Sequence, residues 1–291
     1  MPATGASRYA QATLAAAGGA LCWSLDGLVL RLAGADAWQA LFWRMATFAA
    51  VLMLVLLWQR RSRSIAAAFA EMGAPGLCVA VLLAATNIFF VFSITLTVVA
   101  NAVVLFATVP IFSAILGRLF LHEPVHKRTV IAIAVGFACS LSIFADRLAH
   151  GAILGDLFAV LAAACFAGNV VVVRANPDTP AVPALVIAGL IAAATGLCFG
   201  KVLAVPGRDV ALLMASGGIQ QTAGLLLYLW AAKFLAPAET GILAFVETIF
   251  APVWVWLAIG ESPSVVVFVA GTVMVATLVW HAALGLRERS S

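Results

Sequence analysis

Apolar runs of about 20 residues, each long enough to cross roughly 30 Å of hydrocarbon as a helix, recur along the whole chain between short polar segments. Because a bilayer offers no water to pair with the backbone, each crossing segment must satisfy its own N–H and C=O groups, as an α-helix does. The 291 residues are 65% hydrophobic and only 10% charged, which excludes a soluble globular protein. The pattern predicts an all-α integral membrane protein.

The apolar runs predict ten transmembrane helices. They lie at about residues 8–32, 37–58, 74–95, 98–121, 127–145, 153–174, 181–201, 210–234, 238–259 and 263–285. The connections between them are short, so flanking helices form antiparallel hairpins and no separate soluble domain fits. All five cysteines lie within apolar runs, which favours small core residues over disulfide or metal chemistry.

The distribution of basic residues predicts the orientation of the chain. If the N-terminus is inside, eleven of the 16 Lys and Arg residues lie in cytoplasmic connections, four lie in outer connections, and Arg44 lies within a span. Connections rich in Lys and Arg are retained in the cytoplasm. We therefore expect a multi-pass protein of the cell inner membrane with both termini in the cytoplasm. The basic charge serves orientation, so no nucleic-acid partner is expected.

The second part of the sequence repeats the first. Residues 20–31 resemble residues 163–174 at an offset of 143, and residues 99–124 resemble residues 237–262 at an offset of 138. The chain therefore divides into two predicted units, residues 1–147 and 148–291, with five spans each. Because five is odd, the second unit crosses the membrane in the opposite sense, which predicts an inverted repeat around a central cavity.

Residues 121–126, "LHEPVH", contain the H-E-x-x-H order of zinc metalloproteases. That motif needs both histidines on one helical face. Pro124 disfavours a helix at this point, so we expect a break that separates His122 from His126. The second repeat keeps the acid and a nearby proline but neither histidine. We therefore expect no metal site, no cofactor and no enzyme activity here.

Charged residues within the spans are the first candidates for a functional site, because burying them in hydrocarbon is costly. Glu247 lies near the middle of the ninth predicted span. It is either a site for a proton or a substrate ammonium group, or a neutral carboxyl bonded to a neighbouring helix. Asp26 and Arg44 lie at similar predicted depth on adjacent helices, which predicts an ion pair that is either structural or part of a gate.

Four segments carry a family resemblance. They are "LCWSLDGLVLR" in the first helix, "VPIFSAILGRLFLHEP" in the fourth, "GAILGDLFAVLAAACFAGNVVVVR" at the start of the second unit and "ETIFAPVWVWLAIGES" in the ninth helix. Together they resemble the EamA-type branch of the drug/metabolite transporter superfamily. The resemblance covers essentially the whole chain and implies two inverted five-helix units. Within this superfamily, the chain resembles bacterial amino-acid exporters, including exporters of aromatic amino acids.

The resemblance also implies which helices surround the central cavity. Polar and aromatic residues on those helices, together with Glu247, are predicted to line it: Trp23, Asn87, Asn101, Thr108, Phe166, Asn169, Gln221, Tyr228 and Trp254. Aromatic faces hold an apolar side chain or an ammonium group, and amides orient an amino or carboxyl group. Each of these residues alone is also typical of an ordinary interhelical hydrogen bond.

These observations predict a secondary transporter that exports small metabolites, with amino acids as the preferred class. A drug or organic-cation exporter of the same fold is the alternative, and an intramembrane enzyme is the alternative from another class. The chain has no phosphate-binding G-x-x-x-x-G-K-[ST] loop, so no nucleotide partner is expected. The expected partners are a small-molecule substrate and the lipid bilayer, and the sequence is compatible with either a monomer or a homodimer.

Overall fold

The computed structural model describes residues 5–59, 64–97, 99–144, 153–260 and 265–290. All regular secondary structure in these residues is helical, which confirms the all-α prediction. The helices are α1 (Gly5–Trp23), α2 (Asp26–Ala33), α3 (Ala37–Gln59), α4 (Ile65–Glu71), α5 (Gly73–Leu96), α6 (Val99–Phe106), α7 (Val109–Phe120), α8 (Lys127–Phe144), α9 (Ile153–Ala175), α10 (Ala181–Phe199), α11 (Gly207–Ala215), a π-helix (Ser216–Gln221), α12 (Thr222–Ala232), α13 (Pro237–Leu243), α14 (Phe245–Ile259) and α15 (Val265–Ser290).

Within the described residues, seven helical stretches are long and apolar enough to cross a membrane, and Val104–Phe120 is a shorter apolar stretch. Large apolar side chains point outward along these helices, as Trp58, Phe120 and Leu257 do. In water such a surface would be unfavourable, but lipid tails solvate it. The chain is therefore a multi-pass membrane protein. Helices occupy all ten predicted spans, and the number that crosses the bilayer stays a prediction.

Four of the predicted spans are interrupted. The first breaks at Ser24–Leu25 between α1 and α2, the fourth at Ala107–Thr108 between α6 and α7, and the ninth at Ala244 between α13 and α14. In the eighth, the π-helix takes the place of one α-helical turn between α11 and α12. Pro110 in the first turn of α7 explains the second break, because proline is tolerated there and cannot continue a preceding helix.

The helices pack in pairs. The most extensive contacts join α3 to α10, α5 to α9, α1 to α12, α8 to α15 and α7 to α13. Glycines allow several of these close approaches. On α12, a Cβ atom at Gly224 would lie 2.6 Å from Nε1 of Trp23 on α1. On α10, a Cβ atom at Gly196 would lie 2.9 Å from the backbone N of Phe42 on α3.

The α7–α13 crossing is closed by small residues and prolines. A Cβ atom at Gly241 on α13 would lie 2.9 Å from Cα of Pro110, and one at Gly117 on α7 would lie 3.1 Å from Cγ of Pro237. The two helices therefore approach each other closely at both glycines. The end of the molecule that holds this crossing also contains Glu239, and we call it the Glu239 end.

Candidate functional site

A cavity of about 180 Å³ lies beside the four helix interruptions. Its lining includes residues at each interruption, such as Trp23, Ala107, Gln221 and Ala244. Irregular backbone at membrane depth is tolerated where it faces a cavity, so the position of the breaks and the position of the cavity agree. The lining residues are Trp23, Asp26, Arg44, Leu83, Thr86, Asn87, Phe90, Phe106, Ala107, Val109, Pro110, Phe166, Gln221, Leu225, Ala244, Phe245, Glu247 and Thr248.

Aromatic rings form one wall of the cavity. The ring centroids of Trp23 and Phe166 lie 5.8 Å apart in an edge-to-face arrangement. Phe106 continues the wall, with its centroid 6.1 Å from that of Phe166 and 5.1 Å from that of Phe90. Centroid distances of 4.5 to 7 Å are those of favourable aromatic pairs. The wall is therefore an interlocked apolar surface that suits the body of an aromatic or aliphatic ligand.

An ion pair lies at the polar end of the cavity. Nη2 of Arg44 donates to Oδ2 of Asp26 at 2.5 Å, and side-chain exposures of 14% and 23% leave the pair only partly solvated. Gln220 donates from Nε2 to the other oxygen, Oδ1, of Asp26. Oε1 of Gln221 accepts from Nη2 of Arg44 at 3.4 Å. The predicted Asp26–Arg44 pair is thus present, and two amides support it.

Glu247 lies in the first turn of α14, directly after the break at Ala244, and lines the same cavity. Within the described residues, its carboxylate forms no hydrogen bond or ion pair. Asp26 and Arg44 lie close enough to exert an electrostatic effect on it. Two carboxylates and one guanidinium therefore meet in one cavity, which favours a positively charged group in the space that remains.

Seven of the residues named from the sequence meet at this cavity. They are Trp23, Asp26, Arg44, Asn87, Phe166, Gln221 and Glu247. Asn87 donates from Nδ2 to the carbonyl of Leu83 within its own helix at 2.9 Å, which leaves its side-chain oxygen as an acceptor. Contact with a substrate stays a prediction for all seven. Asn101 lies in α6, and its side chain is outside the described residues.

Four other named residues do not line the cavity. The hydroxyl of Thr108 bonds to the carbonyl of Leu105 at the α6–α7 break. Tyr228 is fully buried behind Trp23 and donates its hydroxyl to the carbonyl of Thr240 at 2.7 Å.

Trp254 and Asn169 also lie away from the cavity surface. Trp254 donates from Nε1 to Oγ of Ser24 at 2.7 Å, which ties α14 to the α1–α2 break. Asn169 is fully buried in α9. The sequence placed all four on the correct helices, but it does not tell which face of an apolar helix turns inward.

Phe90, Phe106 and Gln220 are cavity or ion-pair residues that the sequence reasoning missed. The two phenylalanines resemble the many others in apolar runs, so nothing in the sequence distinguishes them. Gln220 precedes Gln221, and in an α-helix adjacent residues face different directions. The π-helix brings both amides to the same ion pair, and the sequence contains no clear signal for it.

A second ion pair is buried at the Glu239 end. Nη2 of Arg128, in the first turn of α8, donates to Oε1 of Glu239 on α13 at 2.7 Å, and the side chains are 6% and 4% exposed. His281 on α15 lies beside it, with Nε2 3.0 Å from the hydroxyl of Thr129. Arg128 is one of the eleven Lys and Arg residues that the sequence predicts on the cytoplasmic side, and the structure shows its side chain buried. Arg128 and Glu239 both lie at the start of a helix on the same predicted membrane face, so the sequence contained a signal for this ion pair.

The H-E-x-x-H segment is not helical. Residues 121–126 join α7 to α8 without regular structure, and His122 has a positive φ of 55°. This confirms the predicted break. Glu123 accepts a hydrogen bond from Nε of Arg174 at 3.0 Å, and Arg174 also donates to the carbonyl of Lys233. Arg174, in the last turn of α9, therefore ties the α7–α8 connection to the residue that follows α12.

The comparisons with known proteins agree with this fold. A crystal structure described only as that of a protein is similar to this chain, with a TM-score of 0.81 and 19% sequence identity. The similarity covers 96% of this chain and 99% of the other, which shows a shared fold. Among curated proteins, none matches the sequence.

A family model matches residues 11–145, which include most of α1 and all of α2 to α8. That model describes the EamA-like transporter family, and its range does not extend to the second predicted unit. The matched residues include Trp23, Asp26, Arg44 and Asn87, and the helical fold and interrupted spans are consistent with a membrane transporter. Through residues 11–145, just under half of the chain, this protein is similar to the EamA-like transporter family.

Proposed function

We propose that this protein is a secondary transporter that exports small metabolites across the bacterial inner membrane, with amino acids, neutral and aromatic ones included, as its substrates. The observation that carries the proposal is a cavity that combines an aromatic wall with a charged end. A zwitterion with an apolar side chain presents the complementary groups. Its ammonium group suits Glu247, and its carboxylate suits Arg44 if the ion pair with Asp26 rearranges.

The size of the cavity supports a single small substrate. An apolar cavity of about 150 Å³ holds one benzene molecule. The cavity of about 180 Å³ here therefore accommodates one aromatic or branched side chain, with the charged groups at its polar end. Larger substrates require the helices around the cavity to separate further.

A second candidate function is export of organic cations. Arg44 is already bonded to Asp26, whereas Glu247 has no hydrogen-bond or ion-pair partner among the described residues. A ligand with an ammonium group and no carboxylate matches this arrangement without any rearrangement of the ion pair. Both candidate functions use the same aromatic wall, so their substrates differ only in whether they carry a carboxylate.

The packing pairs support an inverted repeat that divides the chain into residues 1–147 and 148–291. Exchanging each predicted span of the first unit for its equivalent in the second turns the α1–α12 contact into the α9–α5 contact. The α3–α10 and α8–α15 contacts are unchanged by this exchange. Such symmetry is expected of a transporter that alternates between two related states.

One contact departs from this symmetry. At the offset of 138, the exchange converts α7 and α13 into α14 and α6. In the described part of the chain, α7 packs extensively on α13, while α6 and α14 share no comparable contact. The cavity is therefore closed towards the Glu239 end and less restricted at the opposite end. We propose that transport exchanges these two contacts, with the Glu239 end facing the cytoplasm, where both termini lie.

Three compounds with the same phenyl body separate the candidates. Purified protein in liposomes is offered labelled phenylalanine, phenethylamine or 3-phenylpropionate. Uptake of phenylalanine supports the amino-acid proposal, and uptake of phenethylamine alone supports the organic-cation function. Uptake of 3-phenylpropionate alone contradicts both, because an anion does not suit a cavity with two carboxylates and one guanidinium.

Glu247→Gln tests the role of the unpaired carboxylate in the same assay, with Thr248→Val on the cavity surface as the matched control. The groups that face Glu247 are Asp26, Arg44 and Tyr228. Protons compete with an ammonium group for a carboxylate, so we expect wild-type substrate affinity to fall as pH falls and Glu247→Gln to lose this dependence. If substrate affinity in Glu247→Gln showed the same dependence on pH between pH 5 and 8 as in the wild type, Glu247 would have no role in the mechanism.

A further inference from the structure

The π-helix Ser216–Gln221 interrupts the regular α-helical structure of a span that lines the cavity. A π-helix inserts one extra residue into an α-helix and is rare outside functional sites. Here the hydroxyl of Thr222 donates to the carbonyl of Gly217, five residues earlier, at 3.0 Å. Residue 217 has no space for a side chain, because a Cβ atom there would lie 2.0 Å from the carbonyl oxygen of Arg44. The π-helix is therefore packed directly against the backbone of the cavity arginine.

The extra residue changes what two adjacent side chains contact. In an α-helix, residues 220 and 221 would point about 100° apart and would not share a partner. Here Gln220 bonds to Asp26 and Gln221 bonds to Arg44. The two amides thus hold both members of one ion pair, with the donor on the carboxylate and the acceptor on the guanidinium.

This arrangement determines which charges in the cavity remain available. Both oxygens of Asp26 have partners, one in Arg44 and one in Gln220. Nη2 of Arg44 is shared by Asp26 and Gln221. Glu247, on the same cavity, has no such partner among the described residues. The ion pair is internally neutralised, and the carboxyl group of Glu247 is left to face a ligand.

We infer that the π-helix makes Gln220 and Gln221 positioning residues, which hold Asp26 and Arg44 together and leave Glu247 as the acidic subsite for a substrate ammonium group. The inference rests on the proposed function for its substrate, but the positioning role belongs to the protein itself. The inference assigns selectivity between amines and amino acids to two residues of the π-helix that need not touch the substrate. When the amides are lost, Arg44 becomes available to a substrate carboxylate.

Carboxyl labelling tests the positioning role without any substrate. Dicyclohexylcarbodiimide, an apolar reagent, adds to protonated carboxyl groups, and peptide mass spectrometry locates the adduct. In the wild-type protein we expect Glu247 to be labelled and Asp26 to be protected. A hydrogen bond to a charged group stabilises the ionised form by about tenfold or more, so Gln220→Met should raise the labelling rate of Asp26 about tenfold. Equal labelling of Asp26 and Glu247 in the wild-type protein would overturn the inference.

A deletion tests the π-helix itself. Removing Ile219, which is 72% exposed, takes out one residue and returns the segment to α-helical register. Only one of the two glutamines can then face the ion pair. The matched control, Ile219→Ala, keeps the residue count and should behave as the wild type. We expect the deletion to raise Asp26 labelling as Gln220→Met does, and unchanged labelling in a folded deletion variant would contradict the role of the π-helix.

Transport selectivity provides the second readout. The ratio of phenethylamine to phenylalanine uptake should fall about tenfold in Gln220→Met and in the Ile219 deletion, because Arg44 then accepts the carboxylate. Size-exclusion chromatography identifies any variant that does not fold. If neither Gln220→Met nor the Ile219 deletion folds, the labelling of Asp26 and Glu247 in the wild-type protein alone tests the positioning role. If the labelling results hold but neither compound is transported, the proposed substrates are wrong and the positioning role stands. If transport holds and the labelling or the ratio does not change, the positioning role is wrong.

Discussion

The two ion pairs differ in what surrounds them. Asp26 and Arg44 border a cavity and are supported by amides, whereas Arg128 and Glu239 are enclosed by packed helices. Enclosure makes a pair costly to form, because both charges lose their hydration, and more costly to break, because the remaining charge has no water. The Arg128–Glu239 pair therefore has a structural consequence that can be measured separately from transport.

Glu239→Gln is expected to destabilise the protein by about 3–5 kcal/mol, the cost of leaving one buried charge without its partner. The measurement is the free energy of unfolding in detergent with increasing denaturant. Arg128→Met should cost a similar amount. The double variant Arg128→Met/Glu239→Leu should lose much less than the sum, because no buried charge remains. Asp178→Asn, on an exposed connection, is the control and should change stability by no more than about 0.5 kcal/mol. If the stability loss of the double variant equalled the sum of the losses of the two single variants, the two side chains would not stabilise each other.

At the scale of the helices, every interruption lies beside the cavity, yet the sequence signalled only some of them. Pro110 indicates the α6–α7 break, and the break at Ala244 occupies the equivalent place in the second unit. The α1–α2 break carries no proline, and its hydroxyl bond from Ser24 to Leu21 forms only in the folded helix. The local sequence thus indicates a helix break where a residue such as proline enforces it. A break that depends on packing between helices leaves no such local signal.

Gly217→Ala is expected to disrupt the contact between the π-helix and α3. The added Cβ would lie 2.0 Å from a backbone oxygen of Arg44, which cannot rotate away, so the helices must separate. Overpacking of this kind costs about 1–3 kcal/mol or more. Gly271→Ala in α15 is the matched control, since nothing lies within 4 Å of its Cβ position, and alanine there should stabilise the helix by about 0.5–1 kcal/mol. A shift in thermal midpoint of equal size and sign for both variants would contradict the packing argument.

At the scale of the whole molecule, the sequence predicted the helical class, the places of the helical segments among the described residues and the Asp26–Arg44 pair. These features depend on the length and hydrophobicity of each segment and on the depth of a residue in the membrane, and all three follow from the order of residues along the chain. The rotation of each helix about its axis could not be predicted. Helices in lipid are apolar on all sides, so no hydrophobic face marks the interior. For this reason Tyr228 and Asn169 were predicted to line the cavity, although both are fully buried away from its surface, and Phe90 and Phe106 were not recognised.

The inverted repeat is the feature on which the transport mechanism depends, and equivalent connections of the two units test it. Helix α4 lies between the second and third predicted spans, and residues 200–206 lie between the seventh and eighth. Inversion places these equivalent connections on opposite faces of the membrane. Ala66 and Leu203 are both exposed, so a cysteine at either position is accessible to reagent.

We expect Leu203→Cys to react with a membrane-impermeant maleimide in intact cells, and Ala66→Cys to react only in inverted membrane vesicles. Both variants are made in a protein whose five cysteines are replaced by alanine, because Cys78 and Cys198 are exposed and would react as well. That cysteine-free protein is the background control. Labelling of both positions from one face would mean that the two units run in the same direction. The exchange of the α7–α13 contact for an α14–α6 contact would then have no structural basis.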